Sequence, residues 1–237
     1  MYARRQMLPD NAPAHVFFRC HNRQYFLRPN FMKDYLIELW AKHKHRYGIK
    51  IYDFIIMDNH AHLLIKARTT ANLGNFMRTV NSQLARKINR VFKRDSQALR
   101  ERYKSPLIST ISYLHKTMQY IWLNRYQVDP SSNPATDRYC SAAWHLNPEI
   151  YRKIKCKKES LPFLKALIDC DEDFHPKDRK KFVRDLLNQA IGNLGSLTAK
   201  IFTHSHTIGD GEAVSFRSQI FTSLRRIKQI IPAHIGA

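Results

Sequence analysis

Three His-x-His pairs punctuate the chain: His43/His45, His60/His62 and His204/His206. Two imidazoles can share one metal ion only if both project from the same face. His43 and His45 fall in a helical pattern, where positions two apart point in different directions and do not chelate together. His204 and His206 lie in the polar stretch "FTHSHTIGDG", which lacks strand patterning and reads as a loop. His60 and His62 alone sit in a β-rich run, "HAHLLIKA", and residues i and i+2 of a strand share a face. That spacing offers two nitrogen donors to a divalent cation. The plain alternative is a polar strand face opposite Ala61, Leu63 and Ile65.

The elements that hold this pair follow from periodicity. Apolar alternation in "HVFFRCH" (15–21), "IKIYDFIIM" (49–57) and "HAHLLIKA" (60–67) predicts three strands, the last two joined by an Asp58-Asn59 hairpin turn. Between the first two, Phe31, Met32, Tyr35, Leu36, Leu39 and Trp40 recur at helical spacing, with Asn30 as N-cap and Gly48 as terminator. A second amphipathic helix carries Leu73, Phe76, Met77, Val80, Leu84, Ile88 and Val91 on one stripe. "RYKSPLIST" is extended because Pro106 blocks a helix interior, and a third helix spans 111–126. The order βαββαβ predicts an α+β, ferredoxin-like antiparallel sheet with packed helices, with the hairpin at its centre. Residues 127–143 lose periodicity and read as a loop. Helices are expected over 148–157, 160–171, 176–202 and 214–230, so the chain divides into a domain at 10–145 and a basic helical C-terminal region at 146–237.

With 237 residues, 43% of them hydrophobic, the chain can bury a substantial core. Its 40 Lys and Arg against 19 Asp and Glu give a formal net charge of +21, which attracts polyanions and makes nucleic acid the first partner to consider. No run approaches the ~18 apolar residues of a membrane span. The N-terminal stretch has only "HVFF" as an apolar segment, too short for a signal peptide, so a cytoplasmic, nucleoid-associated location is expected. Cys20, Cys140, Cys156 and Cys170 form no CxxC pair and read as reduced thiols.

"MDNHAHLLI" resembles the M-P-N-H-V-H-L-L-I signature of the single-tyrosine HUH nucleases, which include the transposases of the smallest insertion sequences (IS200-like) and the REP-associated tyrosine transposases. "HVFFRCHNRQYFL" looks like the family's first strand and R-G-N-N-R-Q turn, and "FMRTVNSQLARKINRVF" is similar to its F-M-R helix. "RERYKSPLISTISYLHKTMQYIWLN" looks like its G-R-Y-K-x-x-L-V segment and the following Y-L-x-x-x-x-R-Y-I helix, so the likeness covers most of 14–126. The resemblance implies a metal-dependent endonuclease and strand transferase acting on single-stranded or hairpin DNA. In such an enzyme two strand histidines and a third ligand hold Mg²⁺ or Mn²⁺, and a tyrosine hydroxyl attacks phosphorus to give a 5′-phosphotyrosine and a free 3′-hydroxyl. Family precedent also allows a homodimer.

Among 11 tyrosines, Tyr103 matches the R-Y-K position and is the expected nucleophile, with Arg100, Arg102 and Lys104 favouring phosphate. Tyr113 and Tyr120, at i and i+7 of the third helix, have the spacing of a packing stripe and read as core. Relatives place a Gln, Glu, Asp or Asn near the tyrosine as third ligand, but four residues after Tyr103 stands Leu107; Asn22, Asp53 and Asn59 are the substitutes weighed. From Phe76 to Lys104, nine basic residues (Arg78, Arg86, Lys87, Arg90, Lys93, Arg94, Arg100, Arg102, Lys104) face two acids, which suggests a backbone track for a single strand. The family's N-P after the third helix is "LNRYQVDP" here, and its Gly-rich turn before R-Y-K is "KRDSQALRER". These departures keep two rivals in view: a domesticated, non-catalytic hairpin or repeat DNA-binding regulator on the same scaffold, and a phosphodiesterase that uses water.

Overall fold

The computed structural model describes residues 8–100, 102–171, 176–192 and 207–208. The expected helix at 214–230, residues 193–202 of the one at 176–202 and the His204/His206 pair lie outside these residues. The first half follows the expected order: β1 (Pro13–Arg19), α1 (Asn30–Lys44), β2 (Ile49–Ile56), β3 (His60–Ala67), α2 (Thr70–Val91), β4 (Leu107–Ile108) and α3 (Ile111–Leu123). Local chemistry sets the boundaries. Thr69 and Thr110 accept hydrogen bonds from the backbone N–H groups of Asn72 (3.1 Å) and Tyr113 (3.3 Å), capping α2 and α3. Asn30 is the first residue of α1, and its cap position is Pro29. After α1, one 3₁₀ turn ends at Gly48, whose φ of 58° suits a residue without Cβ. The Asp58-Asn59 turn closes with Met57 N–H donating to the His60 carbonyl at 2.8 Å.

The sheet order is β2-β3-β1-β4-β5, with β5 (Thr207–Ile208) added parallel to β4. The first four strands are antiparallel and ferredoxin-like. The hairpin is not central as a unit, because β1 inserts between β3 and β4 and leaves β2 at an edge. That edge is occupied by later chain. Ile56 N–H donates to the Tyr139 carbonyl (3.0 Å), and Asp169 grips Ile51 through its backbone N–H (2.8 Å) and carboxylate (2.7 Å). The Lys44 ammonium, fully buried, pairs with the same carboxylate. An open edge strand with unpaired N–H groups is thereby avoided.

Two cores lie on the two sheet faces. Val16, Phe18, Ala61, Leu63 and Ile65 pack with Leu36 and Trp40 of α1 and Phe76, Val80 and Leu84 of α2. Tyr52, Ile55 and Leu64 pack beneath α3 with Met118, Ile121 and Trp122. A bulge between Ile51 and Asp53 turns both Tyr52 and Asp53 toward α3. There the Asp53 Oδ1 accepts from Trp122 Nε1 (2.7 Å), Ser141 Oγ (2.7 Å) and His145 Nε2 (3.0 Å).

The expected loop at 127–143 ends earlier than the sequence suggests, since α4 (Ser141–Leu146) starts inside it. Residues 148–153 and 158–160 form 3₁₀ segments, and only α5 (Leu161–Lys165) is α-helical within 160–171. Pro148 and Pro162 start these short turns, and neither continues. α6 (Arg179–Gly192) packs Val183, Leu186, Leu187 and Ala190 into the α3 core. Among the described residues no helix is long and apolar enough to cross a membrane, and the four cysteines form no disulfide.

Candidate active site

His60 and His62 share the α3 face of the sheet, as strand parity requires, together with their cross-strand partners Arg19 and Phe17. His60 is half-buried and His62 is buried. Each has its Nδ1 already engaged. The Nδ1–H of His60 donates to Asn59 Oδ1 at 2.6 Å, and Nδ1 of His62 lies 2.8 Å from Nε2 of His15. Asn59 is itself fixed, donating from Nδ2 to the Arg23 carbonyl (3.0 Å). Both Nε2 atoms are thus turned away from the strand, and that of His62 is buried without a hydrogen-bond partner.

Burial, reinforced by the Arg19 charge, lowers His60 to about 4. Burial also pushes His62 well below its ordinary value, with the neighbouring His15, His60 and Arg19 adding to the effect. Both rings are neutral at physiological pH, the state in which imidazole ligates metal.

Helix α3 brings the remaining groups. Tyr120 presents its ring edge-on to His62 (centroids 5.4 Å apart) and His15 (5.9 Å). One turn later, Asn124 places Oδ1 3.3 Å from His60 Nε2 and hydrogen-bonds Tyr120. Residues four apart on a helix lie on one face, so Tyr120 and Asn124 arrive together. Trp122 anchors the same turn to Asp53, and Arg125 ties its end to the Ile56 carbonyl (2.8 Å). Burial raises the Tyr120 phenol above its ordinary value, while the Asn124 hydrogen bond and the Arg19 charge oppose the rise. Tyr120 is 3% exposed.

The donor set fits a divalent cation. A neutral His60 has one ring proton, and Nδ1 uses it on Asn59. Its Nε2 lone pair therefore faces the Asn124 oxygen with no proton between them, while the His62 Nε2 lone pair is also unmatched. The rings of His60 and His62 have their centroids 5.0 Å apart, so the chemistry of this donor set is that of two imidazole nitrogens and an amide oxygen. The 3.3 Å spacing of His60 Nε2 and Asn124 Oδ1 is close to the ~3 Å between neighbouring ligands at right angles around a first-row metal with bonds of about 2.1 Å. Among the described residues no three His, Cys, Asp or Glu are grouped to hold a metal ion.

Tyr103 is elsewhere. Lys104 pairs opposite Phe17 and holds its ammonium 5.9 Å from that ring, on the histidine face. Tyr103 accordingly points the other way and packs, half-buried, against the α1/α2 core. The structure does not bring it to His60 and His62. The substitutes weighed for a third ligand are also accounted for: Asn22 is exposed in a turn with φ of 48°, Asp53 is locked by its three donors, and Asn59 supports His60 from behind.

The nine basic residues divide between two places. Arg78, Arg86, Lys87 and Arg90 line α2, whose apolar stripe covers the sheet face away from the histidines, and Lys87 lies over Tyr35. At the end of that helix Lys93 is exposed with φ of 48°, and Arg94 stacks over Phe26 at 4.5 Å. Arg100, exposed like Arg102, meets Arg19 through a backbone hydrogen bond (2.8 Å), and Lys104 sits over Phe17. The α2 helix is therefore not a track leading into the histidine pair. Arg19, opposite His60, and Lys104, opposite Phe17, share the histidine face by strand position, and Arg100 is bonded to Arg19 through the backbone. The sequence reading takes Tyr120 as core and does not single out Asn124, the two α3 groups that the fold brings to His62 and His60. The signal was present as Tyr-x-x-x-Asn, the same four-residue offset that fails at Tyr103 and Leu107.

A ferredoxin-like sheet with a paired-histidine strand roofed by a tyrosine-bearing helix defines the architecture. The family model described as "Transposase IS200 like" matches residues 10–132, more than half of the chain, and the chain belongs to this transposase family. Its fold is similar to that of a solved REP-associated tyrosine transposase bound to a REP hairpin, with 14% identity, a TM-score of 0.51, and coverage of 67% of this chain and 93% of that one. No curated protein matches.

Proposed function

We propose that this transposase-family chain is a metal-dependent single-stranded DNA endonuclease and strand transferase whose nucleophile is Tyr120. The observation that carries this reading is the meeting of Tyr120 and Asn124, one turn apart on α3, with His60 and His62 under the sheet. His60, His62 and Asn124 would hold Mg²⁺ or Mn²⁺, the nitrogen pair suiting Mn²⁺ in particular. A cation bound there supplies positive charge that polarises the scissile phosphate.

The chain's own groups account for the rest. Tyr120 Oη forms a bond to phosphorus as the bond from phosphorus to the 3′-oxygen breaks. The phenol gives up its proton and the departing 3′-oxygen gains one. The products are a 5′-phosphotyrosine and a free 3′-hydroxyl, and another strand's 3′-hydroxyl reverses the step. Asn124 and Arg19 lower the cost of phenolate formation, and burial keeps the phenol protonated until a strand enters. Because Tyr120 is 3% exposed, entry requires a displacement that uncovers its hydroxyl. Arg19, Arg100 and Lys104 supply positive charge along the strand's path. The fold neighbour's hairpin ligand supports hairpin-flanked single strands as substrate here.

The test is incubation with hairpin-flanked single-stranded DNA and Mn²⁺ or Mg²⁺, followed by denaturing electrophoresis. A covalent protein–DNA adduct that chelator abolishes, and that Asn124→Ala reduces at least tenfold, is the expected outcome. Cleavage without an adduct favours water as nucleophile, and binding without cleavage favours the regulator.

A further inference from the structure

Behind the histidine pair lies a third imidazole that the proposed chemistry does not use. His15 on β1 is fully buried, and its register partner on β3 is Leu64, which makes His62 its diagonal neighbour across the strand pair. The two rings are inclined by only 17°, with His15 Nε2 2.8 Å from His62 Nδ1. His15 cannot offer that nitrogen to a metal, because His62 already occupies it. Phe17 and Tyr120 flank both rings, with centroids 5.4 to 5.9 Å away, so neither imidazole has room to turn.

We infer that His15 is a positioning residue that accepts the Nδ1–H of His62 and so fixes the tautomer and ring orientation in which His62 Nε2 ligates the metal. The inference rests on the proposed His60, His62 and Asn124 site. A neutral imidazole has one ring proton, and a metal on Nε2 requires that proton on Nδ1. Inside a dry sheet face, that N–H needs an acceptor, and His15 Nε2 supplies it. Without the acceptor, His62 gains by changing tautomer, which puts the proton on Nε2 and withdraws that lone pair from the site. Asn59 plays the matching part for His60, but it does so from the hairpin tip, half-buried, where water can replace it. His15, fully enclosed, has no such substitute. Acceptors of this kind behind metal-bound histidines characteristically change metal affinity 10–100-fold, by the general behaviour of outer-shell partners.

The experiment is calorimetric titration of the metal-free full-length protein with Mn²⁺, without DNA, for wild type, His60→Ala, His15→Phe, His15→Asn and His15→Gln. His15→Phe removes the acceptor, and the shorter His15→Asn places its amide out of reach. His15→Gln can put an amide oxygen near the position of Nε2. Affinity falling about 10–100-fold in His15→Phe and His15→Asn, with His15→Gln within a few-fold of wild type, supports the role. Loss of a merely structural side chain would not be rescued by Gln in this way. Wild-type affinity in either His15→Phe or His15→Asn overturns the role, and if His15→Phe does not fold, His15→Asn decides. Absence of Mn²⁺ binding by wild type, or its persistence in His60→Ala, instead refutes the underlying metal site.

Discussion

Replacing Asp53 by alanine tests how the tyrosine-bearing helix is held. The bulge in β2 delivers a fully buried carboxylate to one point where Trp122 Nε1, Ser141 Oγ and His145 Nε2 all converge within 3.0 Å of Oδ1. Trp122 lies between Tyr120 and Asn124, so this anchor sets the rotation of the turn that carries both. Hydrogen bonds to a charged group contribute about 1.5–3 kcal/mol each, but the three donors share one oxygen, and Trp122 and Ser141 remain 3.0 Å apart to satisfy each other in part. The net loss should therefore be that of leaving two buried donors short of an acceptor at about 1–3 kcal/mol each, together about 3–5 kcal/mol. Against a typical domain stability of roughly 5–15 kcal/mol, this is a large fraction. With a urea m-value of about 2 kcal/mol/M, the unfolding midpoint should fall by about 1.5–2.5 M. Asp53→Asn keeps an acceptor oxygen and should lose about half as much. Equilibrium urea denaturation of the three proteins reads the difference. A midpoint for Asp53→Ala within about 0.5 M of wild type would refute the assignment of Asp53 as the anchor of α3.

Two further perturbations probe the electrostatics. In the metal-free protein His60 sits near 4 and His62 is held well below its ordinary value, against 6.5 in the unfolded chain, so protons bind the unfolded state preferentially below 6.5. Stability is then fully present above pH 6.5 and is lost as pH falls towards 4; His60→Ala should flatten that loss in pH-dependent urea unfolding, and an unchanged slope would contradict the burial argument. For DNA, Arg19→Ala and Lys104→Ala should each weaken single-strand binding and reduce the slope of log affinity against log salt by about 0.7, whereas Arg78→Ala, on the far layer, should change neither in fluorescence anisotropy titrations. An Arg78→Ala effect as large as that of Arg19→Ala would move the strand to the α1/α2 layer.

The framework was legible where a single periodicity governs a segment. Alternation in β1 and β3 and the apolar stripe of α2 locate those elements and put His60 and His62 on one face. Features fixed by contacts between distant segments were not legible. The bulge at Tyr52 exists because Asp53 meets Trp122, Ser141 and His145, some 70 to 90 residues away, and no local signal announces it. Tyr103 was the wrong parity: whether it or Lys104 faces the histidines depends on the register of the segment against β1, which sets Lys104 opposite Phe17. Tyr120 is buried, as its spacing predicts, and the proposed site uses that same position. The buried stripe of α3 lies against the histidine face, so here a packing position and a site position coincide. In the C-terminal region, α4 and the 3₁₀ turns are too short for a helical period to register.

The most direct measurement is to digest the covalent protein–DNA adduct and map the modified residue by tandem mass spectrometry. A nucleotide-bearing peptide with the phosphate on Tyr120, and no adduct from Tyr120→Phe while Tyr103→Phe still forms one, is the predicted result. Phosphate mapped to Tyr103, or an undiminished adduct from Tyr120→Phe, would contradict the placement of the nucleophile on α3.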